Sequence, residues 1–465
     1  MLLKKNLIIV VLANIVVLLS STMNNFFIPT VLSVQEFSDY KTYFLYSSFI
    51  GFLHFGFVDG INVFFGGMDK QNVDKSLIRE NHTFFVVFQV FITLCVFTIA
   101  LISDNVFLYL ISAAIIPINI TSFFLFFYQA IGDFKLYALI AIIAPILNIL
   151  MLLILIFFDV VNFELFVVLN IFCYFISMII LEMRFFKERI RSEINFKYFL
   201  NNYQKIFKTS FKNNSKLFRS GIFIMLGTVL FNLFFDTGRW MAKIFTSTEK
   251  FAVYSISMSI IGMILIFVSA INKTFYPYMH KNNNSDVLLN LRKALYCMST
   301  LVLPFFFILK YIILKFLNNY ADSLSVAAIL STAIPGIFII KSIYANLYKI
   351  EKKEYLFFKD TMIYLIIGLF LNLIFYYFFK TLNSLALASV ITIYIWNFFP
   401  RTFKSVNTKI KLKEALYLLI ILTLYFGIFI YNLNPSISFF SSLVIIFMVN
   451  IFFYQKTLFK ILKFK

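Results

Sequence analysis

Residues 136–158 read LYALIAIIAPILNILMLLILIFF, and Lys135 stands directly before them. The stretch carries no charged side chain and exceeds the roughly 20 residues that a membrane-spanning helix requires. Its length and composition therefore predict a transmembrane helix. The same pattern recurs along the chain and predicts fourteen spanning segments, at 6–30, 42–67, 83–102, 106–131, 136–158, 164–183, 217–240, 251–272, 294–317, 324–347, 360–379, 384–400, 413–432 and 437–455.

The basic residues follow the gaps between these segments. With the N-terminus in the cytoplasm, 33 of the 41 Lys and Arg residues lie at or beside the cytoplasmic gaps. The opposite gaps are short and hold few of them, as in Ser103-Asp104-Asn105. Cytoplasmic loops of membrane proteins carry this excess of Lys and Arg. We therefore predict an all-α polytopic membrane protein with cytoplasmic N- and C-termini.

Composition excludes several other classes of protein. A chain of 465 residues with 61% apolar content and a mean hydropathy of +0.90 is not typical of any soluble fold. The net charge of +20 lies in loops beside anionic lipid headgroups, so we expect membrane lipids and no nucleic acid as partners. The chain contains no Gly-x4-Gly-Lys-Ser/Thr sequence, so we do not expect direct use of ATP. Cys95, Cys173 and Cys297 match no metal-ligand spacing, and we expect neither a metal nor a cofactor.

Two halves of the chain resemble each other across a basic segment. Ile116-Pro117 recurs as Ile334-Pro335, and an acid-x-Lys-x-Tyr pattern follows both at the same offset. The organisation that this repeat predicts is a six-helix lobe at 1–183, a basic cytoplasmic linker at 184–216, a second six-helix lobe at 217–400, and additional helices 13 and 14 with a basic tail at 401–465.

The symmetry of the repeat follows from its helix number. Six crossings return the chain to the same side, so both copies enter the membrane in the same direction. We therefore predict that a pseudo-twofold axis along the membrane normal relates the lobes. Two lobes of this kind can enclose a central cavity that opens alternately to each side.

The residues after the first segment carry a family resemblance. Gln35-Glu36-Phe37-Ser38-Asp39-Tyr40 leads into Phe55-Gly56-Phe57-Val58-Asp59-Gly60, and the stretch ends at Gly66-Gly67. Asp236-Thr237-Gly238-Arg239 and Tyr276-Pro277 are further landmarks. These elements resemble bacterial polysaccharide flippases of the O-antigen and capsule type, within the multidrug/oligosaccharidyl-lipid/polysaccharide exporter superfamily. Val63-Phe64 stands where those flippases usually have Arg or Tyr.

The resemblance implies a function and its partners. It implies a flippase, not an enzyme, that moves an undecaprenyl-diphosphate-linked oligosaccharide across the bacterial cytoplasmic (inner) membrane by alternating access. Polysaccharide assembly proteins are further expected partners. The runner-up functions are a multidrug/cation antiporter of the same superfamily and a membrane-embedded polysaccharide polymerase or glycosyltransferase.

A few ionisable residues within the predicted spans are candidates for substrate binding. Such residues are costly in the membrane and therefore often functional. Cations suit a diphosphate, and a mid-membrane imidazole can bind phosphate or a proton. A neutral His bonded to a neighbouring helix, an interfacial ion pair and snorkelling Lys stems are the structural alternatives. The candidates are His54, Asp236, Arg239, Lys310 and Lys341.

Other residues are candidates for gating or for a structural role. Asp59 and Gly60 lie near the cytoplasmic end of the second segment, where they can cap the helix or form part of a gate. Pro117 and Pro335 lie inside spans and should kink them, which can provide bending points or merely irregular packing.

Overall fold

A computed structural model shows a chain that is helical, with no strand in the part that it describes. The backbone is described at residues 2–66, 68, 71, 73–158, 162–190, 196–281, 285–351, 353–401, 410–431 and 434–462. Side chains are described in the same ranges except at 2–8, 10, 11, 186–190, 196–214, 264–278, 280, 281, 285–287, 354 and 456–462. The chain forms two compact units, Met1–Val229 and Leu230–Lys465.

The first unit is arranged around one central helix, α5. Its helices are α1 (Leu2–Val31), α2 (Val34–Ser47), α3 (Phe57–Phe65), α4 (Lys75–Ser103), α5 (Val106–Ala130), α6 (Phe134–Phe157), α7 (Phe163–Ile190) and the first part of α8 (Phe196–Phe245). Helix α5 packs against α2, α3, α4, α6 and α7, and α1 packs against α6. Asn105 starts α5 by accepting hydrogen bonds from the backbone N–H groups of Phe107 and Leu108.

The second unit begins inside α8 and continues to the C-terminus. Its further helices are α9 (Thr248–Lys281), α10 (Ser285–Thr300), α11 (Phe305–Phe316), α12 (Ser323–Ser331), α13 (Ile334–Ile339), α14 (Ala345–Ile350), α15 (Glu354–Phe379), α16 (Leu382–Phe398), α17 (Leu412–Ile430) and α18 (Pro435–Leu462). Helix α12 packs against α9, α11 and α16, while α15 packs against α16.

The helices identify a multi-pass membrane protein. Among the described residues, ten helices are long and apolar enough to cross a membrane, or up to twelve if each of two bent pairs counts as one span. Helix α16 is also apolar but has 17 residues, and part of α9 lies outside the described side chains. Fourteen crossings and cytoplasmic termini therefore stay predictions.

The second predicted segment, 42–67, is wrong as one continuous helix. A short 3-10 helix at Ile50–Phe52 follows α2, and Val34–Phe52 and Phe57–Phe65 are bent by 53° at the break between them, residues 53–56. Phe55 and Gly56 have φ angles of 48° and 80°, so two successive residues are left-handed. A helix cannot continue through this conformation, and His54 therefore lies in a turn and not in the middle of a helix.

Two later segments are interrupted beside proline residues. Helix α11 begins directly after Pro304, and Pro335 lies at the start of α13, where the chain bends by 47°. The ring of proline removes a backbone donor and restricts the residue before it, which favours a break at these places. By contrast, α5 continues through Pro117 and α6 continues through Pro145.

The basic segment 184–216 is helical wherever its backbone is described. Helix α7 runs on to Ile190 and α8 begins at Phe196, although the side chains at 186–190 and 196–214 lie outside the described ones. The limit between the compact units falls within α8, after Val229. The lobe limits at 183, 217 and 400 stay predictions.

A buried polar network joins the last two helices to the rest of the second unit. Arg292 of α10 forms an ion pair with Glu414 of α17 at 2.8 Å, and both side chains are at most 2% exposed. Tyr417 donates a hydrogen bond to Asn450 of α18 at 2.5 Å and also contacts Thr300 at 2.9 Å. Helices α17 and α18 are thus packed into this unit by specific polar contacts.

Replacing Arg292 with Met should destabilise the second unit by about 3–5 kcal/mol, because it leaves the Glu414 carboxylate buried without its guanidinium partner. Thermal unfolding of the purified protein in detergent measures the loss. Adding Glu414→Gln should recover most of it, since the uncompensated charge is then removed. Lys293→Met, at a partly exposed neighbouring position, is the matched control. An Arg292→Met protein as stable as this control would contradict the stabilising role of the pair.

Candidate functional site

Two cations and one carboxylate lie together in the second unit. Asp236 and Arg239 are three residues apart on α8, so they share a face of the helix. Lys341 belongs to the wide helical turn at Ile340–Tyr344, between α13 and α14. The Asp236 carboxylate interacts electrostatically with both cations. We call these three residues the cationic cluster.

Aromatic rings position the lysine of the cluster. Its Nζ atom lies 4.8 Å from the centre of the Phe235 ring and 5.8 Å from that of Phe231. Phe231 packs edge-on against the buried ring of Trp396, with ring centres 5.6 Å apart. Ring faces attract a cation but do not neutralise its charge. Lys341 is therefore held in place with its positive charge available to a ligand.

Arg239 is positioned by the neighbouring helix α9. Its Nε atom donates a hydrogen bond to Ser255 Oγ at 3.4 Å, and its guanidinium lies 6.0 Å from the centre of the Phe251 ring. Lys243, one turn further along α8, lies over the same ring at 4.9 Å. All three members of the cationic cluster are partly exposed, so a ligand can reach them.

Close helix packing supports the part of α8 that carries Asp236 and Arg239. A Cβ atom added at Gly238 would lie 2.0 Å from the Tyr254 hydroxyl oxygen and 2.5 Å from Ser389 Oγ. Helix α8 therefore approaches α9 and α16 at the level of Asp236 and Arg239. A support of this kind keeps charged side chains in a defined geometry, which a binding site requires.

The chemistry that the cluster offers is the recognition of an anion. With all three groups ionised, it carries one more positive than negative charge. Phosphate oxygens can take the place of the Asp236 carboxylate as partners of the two cations. Arg presents a planar fork that fits phosphate, while Lys acts as a point charge.

Three candidates in the first unit, His54, Asp59 and Gly60, lie at or beside the bend between α2 and α3. The Nε2 atom of His54 is 3.8 Å from Asp59 Oδ2, and both residues are buried. A Cβ atom at Gly60 would lie 2.1 Å from the backbone oxygen of Leu217. The structure thus brings His54, Asp59 and Gly60 to one bend, where α3 touches the backbone of α8.

Two buried amides that the sequence analysis missed hold this bend. Asn119 donates to the backbone oxygen of Ile50 at 3.3 Å and to Gln89 Oε1 at 2.8 Å. Gln89 in turn donates to the backbone oxygen of Leu53 at 3.1 Å. Backbone groups in the membrane must find partners within the protein. The sequence did contain a signal for them, because Gln89 and Asn119 are amide side chains within the strongly apolar segments 83–102 and 106–131.

The remaining candidates lie on α11, on α5 and at the start of α13. Lys310 on α11 is buried, and its Nζ atom lies 5.8 Å from the centre of the Phe429 ring on α17. Pro117 is buried inside α5, whereas Pro335 lies at the bend before α13.

Further charged groups in the first unit were not among the candidates. Lys41 of α2 is buried and donates to Asn25 Oδ1 of α1 at 2.6 Å. His82 of α4 bonds to Glu182 of α7 at 2.8 Å. Both lie at the edge of an apolar run, where an ionisable residue is expected at an interface, so the sequence did not single them out.

Of the other sequence landmarks, one has a structural role and two lie outside the described side chains. Glu36 accepts a hydrogen bond from the backbone N–H of Phe163 at 2.8 Å and so caps α7. The side chains of Tyr276 and Pro277 lie outside the described residues. Among the residues that are described, no group of three or more His, Cys, Asp and Glu side chains is placed to hold a metal ion.

Comparisons with known proteins identify structures of similar fold but no matching family model. No protein-family model matches the chain, and no curated protein matches its sequence. The structure of lipid II flippase MurJ in an inward closed conformation matches with a TM-score of 0.64 at 14% identity, over 96% of this chain and 100% of that one. An inward-facing multidrug resistance transporter of the MATE family and MOP superfamily matches with a TM-score of 0.55 at 13% identity, over 82% of this chain and 95% of that one.

Both likenesses cover most of the chain and concern proteins of one superfamily. At these identities they define the architecture alone. They agree with the superfamily that the motifs around Glu36, Asp59 and Asp236 resemble. The chain has the fold of the multidrug/oligosaccharidyl-lipid/polysaccharide exporter superfamily.

Proposed function

We propose that this protein is a flippase for an undecaprenyl-diphosphate-linked oligosaccharide. It moves this lipid from the cytoplasmic to the outer face of the bacterial cytoplasmic membrane by alternating access. The observation that carries the proposal is the cationic cluster within apolar helices of a flippase-like fold. The sequence motifs of polysaccharide flippases support the same substrate class.

The chemistry of the substrate matches that of the cluster. A diphosphate that links a lipid to a sugar carries two negative charges, which must leave water during passage. Burial of an unpaired charge is very costly, and paired cations with hydrogen-bond donors lower that cost. Arg239 and Lys341 supply one cation for each phosphate. Asp236 offsets one of these two charges when no substrate is present.

The proposal is tested by removing the protein from its host. We expect the lipid-linked oligosaccharide to accumulate on the cytoplasmic face of a deletion strain and the surface glycan to fall. Restoring the gene should reverse both effects. Unchanged surface glycan and unchanged precursor, in a strain without a second flippase, would reject the proposal.

A cation antiporter is the second candidate, because a transporter of the MATE family shares the fold and Asp236 is a partly buried carboxylate. The charge of the cluster argues against it. Arg239 and Lys341 both interact with that carboxylate and would repel a cationic drug. The enzyme alternative lacks support from the fold. The connections α4–α5 and α15–α16 are each two residues long, which is too short to hold a catalytic site.

Replacing Asp236 with Asn should separate an anionic from a cationic substrate. For an anion, loss of the carboxylate removes competition for the cations, so affinity for a short polyprenyl diphosphate should stay equal or increase by about tenfold or less. For a cation, binding should disappear. Equilibrium binding to the purified protein measures either outcome. Asp322→Asn, at an exposed position of the same unit, is the matched control.

A further inference from the structure

We infer that His54 is a proton-binding residue, and that binding its proton opens the turn between α2 and α3. The protonation of His54 does not depend on the proposed function. A role of this protonation in coupling transport to a proton gradient does rest on that function. The inference is based on the hydrogen bonds around the imidazole ring and on the packing that surrounds the bend.

The hydrogen bonds define the state of the neutral ring. Nδ1 of His54 accepts a hydrogen bond from the backbone N–H of Gly56 at 3.1 Å. A ring nitrogen that accepts a hydrogen bond carries no hydrogen itself, so the neutral ring has its hydrogen on Nε2. That nitrogen faces Asp59 Oδ2 at 3.8 Å, which is beyond hydrogen-bond distance but within the range of an ion pair.

A second proton can only be added at Nδ1. The new N–H bond at Nδ1 uses the lone pair that accepts from Gly56, so the existing hydrogen bond must break. The imidazolium that forms is attracted to the Asp59 carboxylate. Protonation therefore exchanges a hydrogen bond within the turn for an ion pair with α3.

The turn is well suited to respond to this exchange. Phe55 has a φ of 48°, which is uncommon for a residue with a side chain, and Gly56 follows with a φ of 80°. Such a conformation persists only when local bonds and packing maintain it. Loss of the His54–Gly56 bond leaves a backbone N–H without its partner, which favours rearrangement of residues 54–56.

Rigid contacts on both sides confine the rearrangement to the turn. Upstream, Gln89 and Asn119 hold the backbone oxygens of Leu53 and Ile50. Downstream, the turn and α3 touch the backbone of α8, because a Cβ atom at Gly56 would lie 2.5 Å from the nitrogen of Ile222. A change at residues 54–56 is therefore confined to the turn between α2 and α3.

The groups around the turn come from four helices. Asp59 of α3 lies against the His54 ring. Helices α4 and α5 contribute the uncharged amides of Gln89 and Asn119, which bond to the backbone oxygens of Leu53 and Ile50. At this crossing α8 presents Leu217, Gly221 and Ile222, with Lys216 and Arg219 exposed beside them.

His82 provides a matched comparison within the same unit. It bonds directly to Glu182 at 2.8 Å, and the rings of Phe123, Phe124 and Phe185 surround it. Both partners lie inside continuous helices. Replacement of His82 removes a buried imidazole without touching the turn.

The first test measures the state of the ring. The full-length protein, labelled with ¹⁵N-histidine and placed in lipid nanodiscs, should give signals that His54→Gln and His82→Gln assign. We expect the His54 ring to carry hydrogen on Nε2 alone at about pH 8 and on both nitrogens only in acid, at about pH 4. The Asp59→Asn variant should require a pH about one unit lower. A His54 ring that keeps one neutral form throughout would overturn the inference.

The second test measures the turn itself. Amide hydrogen exchange in the peptide that contains Gly56, corrected for the pH dependence of intrinsic exchange, should rise about threefold or more on acidification. The rise should remain in His82→Gln and vanish in His54→Gln. An equal rise in all three proteins would show that the turn opens for another reason and would reject the coupling to His54.

The third test addresses transport. Flipping by the wild-type protein in proteoliposomes should respond to an imposed proton gradient, and flipping by His54→Gln should not. An unchanged response in His54→Gln would reject the coupling role. Absence of flipping in every protein would instead contradict the proposed function, and the two preceding tests would still decide the protonation of His54.

Discussion

Transport should fall about ten- to hundred-fold when Lys341 is replaced by Met, and about as far when Arg239 is replaced by Gln. A hydrogen bond to a charged group contributes about 1.5–3 kcal/mol, and about 1.4 kcal/mol corresponds to a factor of ten. Met keeps a long apolar stem over Phe231 and Phe235, so the substitution removes the charge and little packing. The measurement is the rate of flipping of a polyprenyl-diphosphate-linked sugar in proteoliposomes.

The double variant should flip at the background rate, since it leaves the cluster with Asp236 and neither cation. Lys341→Arg should retain most of the activity, because it preserves the charge. Lys315→Met is the matched control, at an exposed lysine over the rings of Tyr311 and Phe316. If both single variants flip like this control at equal amounts in the membrane, the cationic cluster is not the substrate site.

The helical and membrane-spanning character of the chain could be predicted because the lipid environment allows few solutions. A spanning segment must satisfy its own backbone groups, so a long apolar run such as 136–158 leaves little choice but a helix. Helix α6 accordingly covers Phe134–Phe157. The short motifs indicated the superfamily, and the likeness in fold to a flippase and a MATE transporter agrees with that interpretation.

The break at 53–56 could not be predicted in the same way. Hydropathy measures transfer into lipid and remains high across the run 42–67, whether or not its helix is continuous. What permits the break is the pair of amides at Gln89 and Asn119, which come from helices α4 and α5. A contact between positions that are distant in sequence leaves no periodic pattern within the segment that it bends.

The cationic cluster was predictable as a list of residues but not as a site. The cost of charge in a membrane singled out Asp236, Arg239 and Lys341 one by one. Phe and Ile surround most helices of this chain, so no apolar stripe indicated which faces meet. Lys310 met the same sequence criterion, yet it packs against Phe429. Lys341 differs from Lys310 because the turn at 340–344 places it over the rings of Phe231 and Phe235 on α8.

Replacing Gly221 with Ala should prevent stable folding of the first unit, at a cost of at least about 3 kcal/mol. A Cβ atom at this position would lie 1.9 Å from the backbone oxygen of Gly56 and 2.4 Å from the nitrogen of Gly60. Both neighbours are backbone atoms, so no side chain can rotate away, and α3 and α8 must separate. Small residues at such crossings allow helices in membranes to pack closely. Thermal unfolding followed by size-exclusion chromatography measures the effect.

Gly51→Ala is the matched control for this contact. It lies in the same bent region, but a Cβ atom there would have no neighbour within 4 Å, so its effect should stay within about 0.5 kcal/mol. Gly56→Ala should be at least as damaging as Gly221→Ala, because it adds the strain of a φ of 80° to the contact with Ile222. A Gly221→Ala protein that unfolds at the same temperature as Gly51→Ala would mean that α3 and α8 do not meet backbone to backbone, and the anchoring of the His54 turn would have to be abandoned with it.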